Sequence, residues 1–204
     1  HEYTPTLTMD DLGNAVMDVI RHEQLTDIHL MGHSMGGYTS MNIFERFPEY
    51  IKTITLVHSG ASADGEDKFK MRQKSIQLML RGEKEQQVFL KALFNNFFHP
   101  TFVNEHKQIV SDYVNRGMEL PKEHLAAFYN AIAHRKDYNE LITNTNTPIH
   151  WILGTHDTAV ALDTAITEVS KPKVAAVSIL DACGHCAMEE NPKLLSEKII
   201  AFIQ

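Results

Sequence analysis

The residues best placed to do chemistry are a serine, an aspartate and a histidine that lie far apart in the chain. Ser34 is the centre of Gly32-His33-Ser34-Met35-Gly36, between a short apolar run and a helical pattern. A strand that turns abruptly into a helix forces its apex residue into a strained conformation. Glycines two before and two after keep side chains from colliding there. The serine hydroxyl then projects from the turn, and the Met35 N–H at the helix start can hold an oxyanion. Chance alone would produce the three fixed residues in roughly one chain in fifteen of this length, so the motif needs partners. Asp157 in Gly154-Thr155-His156-Asp157 and His185 in Cys183-Gly184-His185-Cys186 each follow another strand-like run. In that set His185 takes the Ser34 proton during attack, and Asp157 fixes the imidazole tautomer and stabilises the imidazolium. Water activated by His185 then opens the acyl-enzyme. Asp64 is the nearest alternative acid. His33, inside the serine motif, and His58, at a strand end, are expected to bind substrate.

The elements that must hold these residues follow from patterning. Thr8 with Asp11 makes a helix start, and Met9, Leu12, Val16 and Ile20 recur at helical spacing. Asp27–Met31, Lys52–His58, Pro148–Leu153 and Val174–Leu180 are short, apolar or β-branched, and bounded by turn residues, so they are expected strands. Gly36–Phe47 and Pro192–Phe202 are expected helices, with another between the last two strands. From 61 to 145 strand signals vanish. Helical patterns run over Asp67–Arg81, Glu85–Phe98, Phe102–Arg116 and Glu123–His134, punctuated by Pro100 and Pro121. Strands separated by helices favour parallel pairing with helices on both faces, and ligands then bind beyond the carboxyl ends of the strands. Ser34, Asp157 and His185 all fall there.

Composition narrows the partners. The 204 residues are 43% hydrophobic and 22% charged, an ordinary globular balance with room for one core and an insert. Nineteen Lys and Arg against 26 Asp and Glu leave a net charge of −7 with no basic track, so nucleic acid is not an expected partner. No apolar run approaches the roughly 18 residues of a membrane helix. Two cysteines cannot build a disulfide framework, and with no second cluster they do not make a structural zinc site. His29 and His33, four apart on a strand and its turn, are not a helical metal pair. No metal or cofactor is expected.

Gly32-His33-Ser34-Met35-Gly36-Gly37, Gly154-Thr155-His156-Asp157, and Gly184-His185 followed by Glu189-Glu190-Asn191-Pro192 together resemble the α/β-hydrolase superfamily across essentially the whole chain. The resemblance implies an α/β fold, a mostly parallel sheet with flanking helices. Residues 1–60 and 146–204 would form the core and 61–145 an all-helical cap. It implies the branch with a serine nucleophile: a cytoplasmic enzyme cleaving a small or medium acyl ester, or a carbon–carbon bond. A non-catalytic ligand-binding or signalling module is the alternative. The four strands would correspond to the last four of eight. A complementing N-terminal segment, or self-association, is therefore expected to supply the second oxyanion donor.

Overall fold

The computed structural model describes residues 7–204. Helix α1 (Met9–His22) starts as its sequence suggests. The Asp11 N–H donates to Thr8 Oγ1 and the Thr8 N–H donates back to the Asp11 carboxylate. Met9 and Ile20 of the expected stripe are buried and Leu12 is half-buried, but Val16 is exposed and Gly13 and Met17 lie inside instead. Gly13 is the reason. A Cβ there would lie 2.4 Å from Asn42 Oδ1, so its bare backbone lets α1 approach the next helix closely.

Strand β1 (Ile28–His33), helix α2 (Met35–Arg46), a 3-10 turn at Pro48–Tyr50 and strand β2 (Ile51–Val57) form the first crossover unit. Six helices follow with no strand between them. These are α3 (Glu66–Leu80), α4 (Glu83–Phe97), α5 (Pro100–Glu105), α6 (Lys107–Glu119), α7 (Lys122–Ala133) and α8 (Asn139–Asn144). The single helix expected over 102–116 is two, because the chain breaks at His106, where φ −124° and ψ 44° are not helical. Strand β3 (Ile149–Gly154), helix α9 (Leu162–Val169), strand β4 (Ala175–Leu180), and helices α10 (Ala187–Glu190) and α11 (Pro192–Ile203) complete the chain.

The sheet order is β1-β2-β3-β4 and each neighbouring pair is parallel. Every residue of β3 is buried, as a strand covered on both faces must be. On one face Met17, Met41, Phe44, Ile54, Trp151 and Ile142 form the main core; on the other, Val57, Ile152 and Leu180 pack beneath Leu195 of α11. Parallel pairing puts all four carboxyl ends at one rim, and the reactive residues gather there. Among the described residues no helix is long and apolar enough to cross a membrane.

Candidate active site

Ser34 joins β1 to α2 at φ 51° and ψ −117°, a backbone region a serine enters only when its surroundings hold it there. Its N–H donates to the Val57 carbonyl at 3.0 Å, and its carbonyl accepts from the Gly37 N–H at 2.9 Å and from Ser59 Oγ at 2.8 Å. The turn is tight on one side as expected: a Cβ on Gly32 would lie 2.2 Å from the Gly36 carbonyl oxygen. Gly36 itself faces open space. Gly37, outside the five-residue motif, is the second crowded glycine, 2.3 Å from Ser59 Oγ by the same measure. Met35 is the first residue of α2, so its N–H has no acceptor within the helix.

Asp157 ends the turn after β3 with its side chain 1% exposed. Its Oδ1 accepts from the Ala159 and Val160 N–H groups at 2.8 and 2.9 Å. Its Oδ2 lies 2.8 Å from His185 Nδ1 and 3.0 Å from His58 Nδ1. Burial by itself would raise this carboxyl pKa. The hydrogen bonds from His185 and His58, the His185 charge and the Val160 amide outweigh it and hold the group well below the ordinary carboxylate range. His185 completes the line, its Nε2 lying 2.8 Å from Ser34 Oγ. Ser34, Asp157 and His185 therefore meet from three strand ends. Asp64 is engaged elsewhere: its fully buried carboxylate accepts from Arg72 and, at 2.8 Å, from Arg135, tying the start of the helical block to its end.

The two histidines expected to bind substrate both lie against the group formed by Ser34, Asp157 and His185. His33 Nε2 donates to the His185 carbonyl at 2.7 Å, and burial, reinforced by neighbouring His185, lowers its pKa to about 4. His58 has no exposed side-chain surface and faces Asp157. His58, Asp157 and His185 present donor atoms within 4.8 Å of one another. They are already direct hydrogen-bond partners, so a cation would enter only by displacing both imidazole protons. Burial, then the charge of Glu190, pushes the Cys183 thiol up to about 12 and raises Cys186 as well, which suppresses the thiolate a nucleophile or metal ligand needs.

One group of contacts was invisible in the sequence. Residues 96–99, at the end of α4, grip both loops. The His185 N–H donates to the Phe97 carbonyl at 2.5 Å, Thr158 Oγ1 donates to the Asn96 carbonyl at 2.9 Å, and the His99 N–H donates to Glu190 at 2.8 Å. The Phe97 ring centre lies 4.5 Å from that of His185. The only forward signal was Glu190 itself, in the Glu189-Glu190-Asn191-Pro192 run. Behind the Asp157 turn, a cavity of about 390 Å³ is lined by Tyr38, Lys68, Arg135, Val160 and Glu168; Ser34 is not in its walls.

Residues 1–204 match the Ndr family. The chain is 26% identical over 199 residues to the uncharacterized carboxylesterase nap of Bacillus subtilis, covering 96% of this chain and 63% of that protein. It is 24% identical over 180 residues to a 2-hydroxy-6-oxononadienedioate/2-hydroxy-6-oxononatrienedioate hydrolase of a Pseudomonas species, covering 86% of this chain and 62% of that one. A thermophilic esterase from Thermogutta terrifontis superposes with a TM-score of 0.89 at 17% identity, over 100% of this chain and 74% of its own. The chain thus spans less than two thirds of the length of these two curated relatives.

Proposed function

The chain belongs to the Ndr family of the α/β-hydrolase superfamily, and from that premise we propose that it is a serine hydrolase cleaving a small or medium acyl ester. One observation carries the reading: the His185 imidazole is held by Asp157 at one nitrogen and stands 2.8 Å from Ser34 Oγ at the other. Ser34 Oγ attacks the ester carbonyl carbon while His185 Nε2 takes its proton. Asp157 stabilises the imidazolium, and the Met35 N–H donates to the oxyanion. Collapse breaks the ester C–O bond, and His185 returns the proton to the leaving alcohol. A water molecule, deprotonated by His185, then releases the acid and restores Ser34. Helices α3–α7 act as a cap over this rim, with Phe97 beside the reacting groups.

A fluorophosphonate probe is expected to label Ser34 in the wild type and not in Ser34→Ala. Turnover of a short p-nitrophenyl ester should fall at least about 10⁴-fold in that variant. An unlabelled wild-type protein, expressed with its full natural sequence, would overturn the proposal. The match to the Pseudomonas dioate hydrolase favours a second reading, carbon–carbon bond hydrolysis by the same three residues. Assaying a 2-hydroxy-6-oxo dienoate beside the ester separates the two.

A further inference from the structure

We propose that His58 is a positioning residue, a second imidazole on the Asp157 carboxylate that tempers how strongly Asp157 holds the proton of His185. This rests on the serine-hydrolase reading above, but its first readout does not need turnover.

His58 follows β2 at φ 47°, a left-handed conformation uncommon for a bulky side chain. That backbone turn aims the ring inward, where it is fully buried. Its Nδ1 reaches Oδ2 of Asp157, the oxygen that also takes the shorter bond from His185. Its Nε2 is buried with no partner among the described residues. These two facts settle where the His58 proton sits. On Nδ1 it makes a hydrogen bond to a carboxylate and leaves only a bare lone pair unmatched. On Nε2 it would be a buried donor with no acceptor, with the Nδ1 lone pair set against a carboxylate. His58 is therefore a donor to Asp157.

Asp157 then divides four donors: the two imidazoles and the amides of Ala159 and Val160. A carboxylate engaged by an extra donor is a weaker acceptor for each of the others. His58 so reduces the pull of Asp157 on the His185 imidazolium. The base is released at lower pH, and its proton passes more readily to the leaving group. The other groups facing the pair are His33, whose ring centre lies 6.0 Å from that of His58 and 5.0 Å from that of His185, together with Lys68, Cys183, Cys186 and Glu190. Of these, His33 also feels a charge on His58, so its ring signals are followed beside those of His185.

The test is nitrogen-15 NMR of the imidazoles in the protein expressed with its full natural sequence. It compares wild type with His58→Phe, which keeps a ring but no donor, and His58→Asn, whose amide donates and which tolerates positive φ. The wild type should show the proton of His58 on Nδ1. The His185 ring signals should titrate about one pH unit higher in His58→Phe, and His58→Asn should recover most of that displacement. The acid limb of kcat/KM should move with them while KM stays put. A proton on Nε2 in the wild type overturns the proposal even if no variant folds. So does an unmoved His185 midpoint in His58→Phe, or a His58→Asn midpoint displaced as far as that of His58→Phe. If the midpoints move as stated while Ser34 stays unlabelled by fluorophosphonate, the hydrolase reading fails and the shared carboxylate stands.

Discussion

Four hydrogen-bond donors converge on one buried carboxylate, so the protonation of Asp157 has a consequence for stability as well as for chemistry. Its pKa in the fold lies below the ordinary value of 3.8. The ionised form is the one the native state prefers, so this contribution is complete above about pH 4. It is lost as pH falls from the unfolded value toward the lower folded one. Asp157→Asn keeps one acceptor oxygen but sets an NH₂ group against imidazole donors. At neutral pH it should cost on the order of 3 kcal/mol, because two buried histidines lose their partner, and about 10⁴-fold in kcat, because the His185 tautomer is no longer fixed. Urea unfolding at neutral pH and near pH 3 checks the first claim: the difference between wild type and Asp157→Asn should narrow in acid. Parallel curves across that range would show that the carboxylate charge is not what the four donors stabilise.

At the scale of elements, the glycines show which contacts position the site. A Cβ on Gly184 would lie 2.4 Å from the Phe97 carbonyl oxygen and 2.8 Å from the His99 nitrogen, both backbone atoms that cannot swing aside. Gly184→Ala should therefore push the end of α4 off the His185 loop, with a loss of about 1–3 kcal/mol and slower acylation of Ser34. Gly36→Ala, in open space at the start of α2, should stay within about 0.5 kcal/mol of wild type. Thermal unfolding and the rate of fluorophosphonate labelling test the pair, and equal losses at both positions would refute the steric argument. The same contrast explains what the sequence could convey. Local signals were enough for the four strands, for the Thr8–Asp11 helix start and for the three strand ends that carry Ser34, Asp157 and His185. Contacts between distant segments were not. Nothing near Phe97 announces that its carbonyl will bind the His185 N–H, or that Met17 takes the inward place of Val16 on α1, where Gly13 meets Asn42 across a helix pair. His150 lies 2% exposed on β3, where burial lowers its pKa to about 4, and a histidine's type does not announce such a place. Helix α8 is only six residues long, too short for periodicity to reveal.

At the scale of the whole molecule, the sheet has two outer edges, and among the described residues no further strand pairs with β1 or β4. Both edges carry exposed apolar side chains: Met31 on β1 is 48% exposed, and Val177 and Ile179 on β4 are 42% and 47% exposed. Open rows of N–H and C=O groups beside apolar surface are a template for another copy. The net charge of −7 opposes such pairing, but repulsion between exposed charges is screened beyond about 8 Å in physiological salt. Strand pairing acts in contact and escapes that screening. The polypeptide of residues 1–204 is therefore expected to self-associate at micromolar concentration, more strongly as salt is raised. A Met31→Lys, Ile179→Lys double variant sets a charge on each edge and should sediment as a monomer under the same conditions, with its far-UV circular dichroism unchanged. Met31 lies on the strand that leads into the Ser34 turn, three residues before it, so whatever covers that edge also steadies that turn. Labelling of Ser34 should accordingly be slower in the monomeric double variant than in the associated parent. A parent that sediments as a monomer at every salt concentration would show that the edges are already protected and that the Ser34 turn needs no neighbour.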